Sequence, residues 1–200
     1  MNQLFELFST GGFMMYPLLA ASIITVAVLI ERVRLYASAR TDMVLLRSHL
    51  TTLLTEGKYE EAAGLCEKAG GITGSILSRT LMHRRLVKDP TAFMELEAQH
   101  AATSLKEKLN YLSAIVTLAP LMGLLGTVTG MIRAFDVLAI SEGQPFAITG
   151  GVAEALIATA FGLLVAIIAM IAFVWLQHKA NRLIEDIETG TGLLAVSLDR

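Results

Sequence analysis

Three apolar runs organise the chain. Phe13–Ile30, FMMYPLLAASIITVAVLI, holds eighteen residues without a charge and stops at the polar edge Glu31–Arg34. At 1.5 Å per residue, a helix of that length nearly crosses a hydrocarbon core about 30 Å thick. The second run, Tyr111–Ala134, carries one charge near its far end, Arg133, and the third, Gly151–Leu176, carries one near its start, Glu154. The pattern predicts transmembrane helices over 13–30, 111–134 and 151–176. Between the first two runs, residues 31–110 read as helices broken at Gly70–Gly71 and Asp89–Pro90. Within them GKYEEAAGLCEKAGG (Gly57–Gly71) predicts one short helix, with acids early and a glycine stop late. No second copy occurs at a fixed period, so a packed bundle is expected rather than a solenoid. From Thr91 the pattern runs without a break into the second apolar run, predicting one long helix. The tail 177–200 should extend the third helix, weakened by Gly190 and Gly192.

The faces of these helices differ. At 100° per residue Gly151, Glu154, Ala155, Ala158, Thr159, Gly162, Ala166 and Ala169 fall on one side of the third run, joined by Val165, Ala172 and Leu176. Leu156, Ile157, Leu163, Leu164, Ile167, Ile168, Met170, Ile171, Val174 and Trp175 fall opposite. In a bilayer small residues let backbones approach, so the first side is expected to face protein and the second lipid. On the second run Ser113, Thr117, Pro120, Gly123, Thr127 and Gly130 share a face by the same count, with Gly126 and Gly130 forming a GxxxG pair. Pro120 lacks an amide donor and should bend or loosen its helix one turn back.

Charge fixes the expected orientation. Twelve of the sixteen Lys and Arg residues lie between Glu31 and Asn110, and Lys179, Arg182 and Arg200 follow the third run. The positive-inside rule then places 31–110, a cytoplasmic helical domain, and the tail 177–200 on the cytoplasmic side. Residues 1–12 and the short loop 135–150 are expected on the periplasmic side. Met1–Gly12 has no Lys or Arg, so the first run reads as a retained span, not a cleaved signal. The fold class expected is an all-α membrane protein: three transmembrane helices with long cytoplasmic helical extensions.

Composition narrows the function. A net charge of -2 gives no basic footprint for nucleic acid. Cys66 is the only cysteine and reads as a small buried thiol, without a disulfide or a cysteine-based zinc site. His49, His83, His100 and His178 lie outside the apolar runs without ligand spacing, so no metal and no cofactor is expected. Neither an HExxH, a GxSxG nor a phosphate-cradling loop occurs, and no enzyme activity is expected. A membrane threonine ordinarily bonds its own i−3 or i−4 carbonyl. Thr127 and Thr159 sit on small-residue faces, which leaves a functional role open, whereas Thr129 faces away. Glu154 lies about 7.5 Å shallower than Thr159 at the helical rise. It is therefore read as a rim or assembly residue, able to meet a hydroxyl, an amide or Arg133, and loss of one partner of a buried pair should cost several kcal/mol.

The stretches APLMGLLGTVTGMIRAF (Ala119–Phe135) and GGVAEALIATAFGLLVAI (Gly150–Ile167) resemble the MotA/TolQ/ExbB proton-channel family, most closely its ExbB/TolQ-like branch. The resemblance implies an inner-membrane stator in which a homopentamer rings two single-span ExbD- or TolR-like chains. Those partners supply a membrane aspartate, with a TonB- or TolA-like protein beyond them. By position Thr127 and Thr159 would face the ion path, Glu154 would be the family's third-span glutamate and Pro120 its second-span proline. Gly123, Gly126, Gly130 and Gly162 are the expected packing glycines. The process served, TonB-dependent import or Tol-Pal function, stays open, as do a sodium-driven stator and a passive membrane scaffold.

Overall fold

The computed structural model describes residues 10–140 and 148–198. Most of the N-terminal segment 1–12, part of the loop 135–150 and the last two residues of the tail lie outside the described residues. The helices are α1 (Met15–Ser38), α2 (Met43–Thr55), α3 (Tyr59–Ala69), α4 (Gly71–His83), α5 (Pro90–Lys106), α6 (Leu109–Ile140) and α7 (Thr149–Leu198). Among the described residues there is no strand. Two helical stretches, Pro90–Ala139 taken across the two-residue turn at Glu107–Lys108, and Thr149–Ser197, are long and apolar enough to cross a membrane. The chain divides into two compact units: residues up to Ile30 with Leu109–Trp175, and Glu31–Lys108 with Leu176 onward.

The first unit is built on three helices. Leu18 and Ala21 of α1, Ile115 and Ala119 of α6, and Val165, Ala166 and Ala169 of α7 form its buried core. The periodicity of α7 is borne out along most of its length. Ala155, Ala158, Val165, Ala166, Ala169 and Ala172 are buried, while Leu156, Leu163, Leu164, Ile167, Ile171 and Val174 are exposed. Ile157 departs from the expected lipid side. It is half-buried, and a β-carbon on Gly11 would sit 3.2 Å from it. The helix α6 continues through Phe135–Ile140, so it outlasts its apolar run, and it passes through Pro120 without interruption.

The second unit is a bundle in which successive helices α2, α3, α4 and α5 pack on one another. Leu46, Leu50, Ala62, Cys66, Ile76, Leu77, Leu81 and Met94 fill its centre with Leu183, Ile187 and Leu194 of α7. The caps follow the local sequence. Asp42 accepts from the amides of Val44 and Leu45, both at 3.1 Å, and Asp89 accepts from Ala92 at 3.0 Å ahead of Pro90. The helix α3 ends where expected: Gly70 and Gly71 both take left-handed φ, 64° and 65°. A β-carbon on Gly71 would collide with the Arg40 carbonyl, so the second glycine also serves a close backbone approach. Cys66 is buried, and burial pushes its thiol up to about 12.

One expectation for the helix that follows Thr91 fails. The pattern from Thr91 does not run unbroken into the second apolar run, because the helix is interrupted at Glu107–Lys108. The tail does extend the third helix, and α7 stays helical through both of the tail's glycines. Packing explains Gly190: a β-carbon there would stand 2.5 Å from the Thr73 methyl, whereas Gly192 has nothing within 4 Å. Opposite signs are therefore expected for the two alanine variants in thermal unfolding in detergent. Gly192→Ala should stabilise by about 0.5–1 kcal/mol through helix propensity. Gly190→Ala should destabilise by about 1 kcal/mol or more through overpacking.

Candidate functional site

The site is the seam between α6 and α7, and glycine makes it. A β-carbon on Gly123 would lie 3.1 Å from the Ala158 carbonyl and 3.3 Å from the Gly162 Cα. One on Gly162 would lie 2.7 Å from the Ala119 carbonyl, and one on Gly126 2.5 Å from the Ala158 Cβ. Toward the far end a β-carbon on Gly130 would lie 3.0 Å from Ala155 and from the Gly151 carbonyl, and one on Gly151 would lie 2.6 Å from the Ala134 Cβ. Any side chain at these positions would push the backbones apart. Gly123, Gly126, Gly130 and Gly162 all lie along this seam.

Close approach lets a short side chain reach across. The Thr159 hydroxyl donates to the Gly123 carbonyl at 2.9 Å, not to its own helix. In an α-helix that carbonyl is also the acceptor for the Thr127 amide. The two threonines therefore meet on one peptide oxygen. The Thr127 hydroxyl donates one turn back to the Leu124 carbonyl at 2.6 Å, and Thr129 bonds Leu125 and Gly126 within its own helix. With their protons committed, both Thr127 and Thr159 retain lone pairs that can only accept.

The face assigned to α6 needs correction. Its buried side runs through Leu112, Ile115, Ala119, Gly123, Gly126, Gly130 and Ala134. Ser113 and Thr117 are exposed, and Pro120 and Thr127 are half-buried beside that side. Counting glycine and hydroxyl as one class merged two adjoining strips: glycines pack on α7, while Ser113 and Thr117 stay uncovered. Thr117 donates to the Ser113 carbonyl at 3.3 Å.

At the far end of the seam Glu154 closes the unit. Arg133 donates to its carboxylate at 2.8 Å, with the glutamate side chain 19% exposed and the arginine 58%. Gly12, at φ 71°, lies so close that a β-carbon there would collide with the Glu154 carboxylate. Three parts of the chain thus meet on one carboxylate. Gly12 was not singled out in the sequence, although Gly11–Gly12 directly before an apolar run is the signal that could have found it. Because Arg133 is half in solvent, the cost of losing the pair falls from several kcal/mol to about 1 kcal/mol or less. Among the described residues no group of three or more His, Cys, Asp or Glu is placed to hold a metal ion.

A sequence model described as the MotA/TolQ/ExbB proton channel family matches residues 69–189, more than half of the chain and the whole of the seam. The chain belongs to that family. Among MotA/TolQ/ExbB relatives, the ExbB-like biopolymer transport protein 1 of Synechocystis sp. is 31% identical, over 86% of this chain and 69% of its own. The Tol-Pal system protein TolQ of Haemophilus influenzae is 29% identical, over 84% of this chain and 80% of its own. The biopolymer transport protein ExbB of Pseudomonas putida is 31% identical, over 64% of this chain and 42% of its own. These relatives carry ExbB and TolQ names, so the chain falls in the ExbB/TolQ-like branch of the MotA/TolQ/ExbB family. Within that family setting the seam geometry makes a sharp forecast. Gly126→Val should separate α6 from α7 and lower the thermal midpoint in detergent, costing about 1–3 kcal/mol. Glu154→Gln, which keeps an acceptor for Arg133, should stay near the parent, while Glu154→Ala falls below it.

Proposed function

We propose that this chain is the multi-pass subunit of an inner-membrane stator driven by the proton motive force. In this reading α1, α6 and α7 each cross the membrane, with the N-terminus periplasmic and the C-terminus cytoplasmic. Five copies ring two single-span partner helices of the ExbD or TolR kind, and ion flow moves the partners against the ring to energise an envelope process. Relatives named for biopolymer transport and for the Tol-Pal system support that class of process. It is transduction without catalysis.

One observation carries the reading. The charges of the three apolar runs are Arg133 and Glu154, and these are spent on each other at one end of the seam. The deep part offers hydroxyls and no titratable group. A proton relay through a bilayer needs such a group, so the carrier belongs to a partner. Thr127 and Thr159, acceptors only, suit a partner carboxylic acid in its protonated state, which donates, and lose their fit when it ionises. A bare sodium ion would want several oxygens in place of its hydration shell, and few are offered here. Protons are therefore the proposed coupling ion.

The test is proton flux into vesicles containing the ring with its single-span partner. Thr159→Val keeps shape but drops the interhelical bond and the acceptor, so flux should fall about tenfold or more, with Thr127→Val acting in the same direction. Thr159→Ser should restore most of it. Full flux in the doubly substituted Val variant would leave a passive scaffold as the better reading. Flux that follows external sodium after collapse of the proton gradient would change the ion.

A further inference from the structure

The break between α5 and α6 has no local cause. Across it the sequence reads Ser104-Leu105-Lys106-Glu107-Lys108-Leu109, without glycine or proline, and its residues are good helix formers apart from the serine. Glu107 itself keeps helical angles, φ −49° and ψ −52°. In a continuous helix the Ser104 carbonyl would accept from the Lys108 amide and the Leu105 carbonyl from the Leu109 amide. Both carbonyls accept from side chains of α1. Arg32 Nη1 donates to Ser104 at 2.8 Å, with a longer contact to Leu105 at 3.5 Å, and the Tyr36 hydroxyl donates to Leu105 at 2.8 Å.

Arg32 is an unusual residue to spend there. It is 3% exposed, two residues beyond the charge-free run, and its Nε is buried without a partner. A buried guanidinium without a carboxylate in direct contact is costly, and the partial negative charge of a helix C-terminus helps to offset it. That offset exists only while α5 ends near Lys106. Lys108 is held from outside by an ion pair to Glu31, at 2.5 Å and 2.7 Å, which also keeps the Glu31 carboxyl below its ordinary range. Burial pushes the Tyr36 phenol up, further from ionisation than an ordinary tyrosine.

We propose that Arg32 and Tyr36 are a clamp that opens a joint at Glu107–Lys108 in a helix whose sequence favours continuity. The joint is then a two-state element: clamped and interrupted, or released and continuous. The residues act by position, through the carbonyls of Ser104 and Leu105. This inference stands apart from the stator reading, because it is tested without ion flux.

Backbone amide hydrogen exchange on the full chain in lipid nanodiscs is the measurement. In Arg32→Met the Lys108 and Leu109 amides should gain helical partners and exchange about tenfold more slowly. A merely structural arginine would give the opposite, faster exchange at these amides along with their neighbours, and that result or no change overturns the clamp. Arg32→Lys, which still brings a cation to the carbonyls, should retain the parent's exchange. Should Arg32→Met fail to fold, Tyr36→Phe decides. It frees the Leu105 carbonyl of the phenol and should slow Leu109 selectively, and an unslowed Leu109 sinks the proposal.

Discussion

Two backbones that nearly touch are the constraint from which the first unit follows. Within lipid, apolar burial gives helices no reason to associate, so attraction must come from close packing and from polar groups near enough to bond. The glycines of α6 and α7 remove the side chains that would keep the backbones apart. Only then can a side chain as short as Thr159 reach the Gly123 carbonyl of the neighbouring helix. The same closeness brings Arg133 to Glu154. Chemistry and packing at this seam share one cause.

Charge is handled differently in the two units. In the first, an acid and a base near the end of the seam satisfy one another, and the apolar interior is left with hydroxyls. In the second, a cation is buried against main-chain carbonyls and no acid is spent on it. The first arrangement keeps ionised groups out of the hydrocarbon. The second makes a helix terminus energetically useful, so that the end of α5 and the burial of Arg32 depend on each other.

Much of this was legible in the sequence, for physical reasons that differ by element. The exposed and buried sides of α7 could be read because lipid sorts side chains by size and polarity with a 3.6-residue period. The caps at Asp42 and Asp89 and the stop at Gly70 are local signals and were equally readable. The side of α6 was half read, since glycine and threonine are both small but do different things in a membrane helix. What escaped depends on distant residues. The interruption at Glu107–Lys108 lies beside carbonyls that accept from Arg32, 72 positions away from Ser104. Gly190 read as a loss of helix propensity when it is a space kept for Thr73. Gly12 has meaning only beside Glu154.

The buried cysteine has a practical corollary. Cys66 is the sole thiol of the sequence, sits in the centre of the bundle, and holds its proton until about 12. Alkylating probes attack thiolates, which at this site are scarce at the mildly alkaline pH used for labelling. The natural protein thus supplies a silent background for site-directed spectroscopy. A cysteine introduced on the exposed strip of Ser113 and Thr117, or beside the joint, can take a spin label or a fluorophore while Cys66 is left in place.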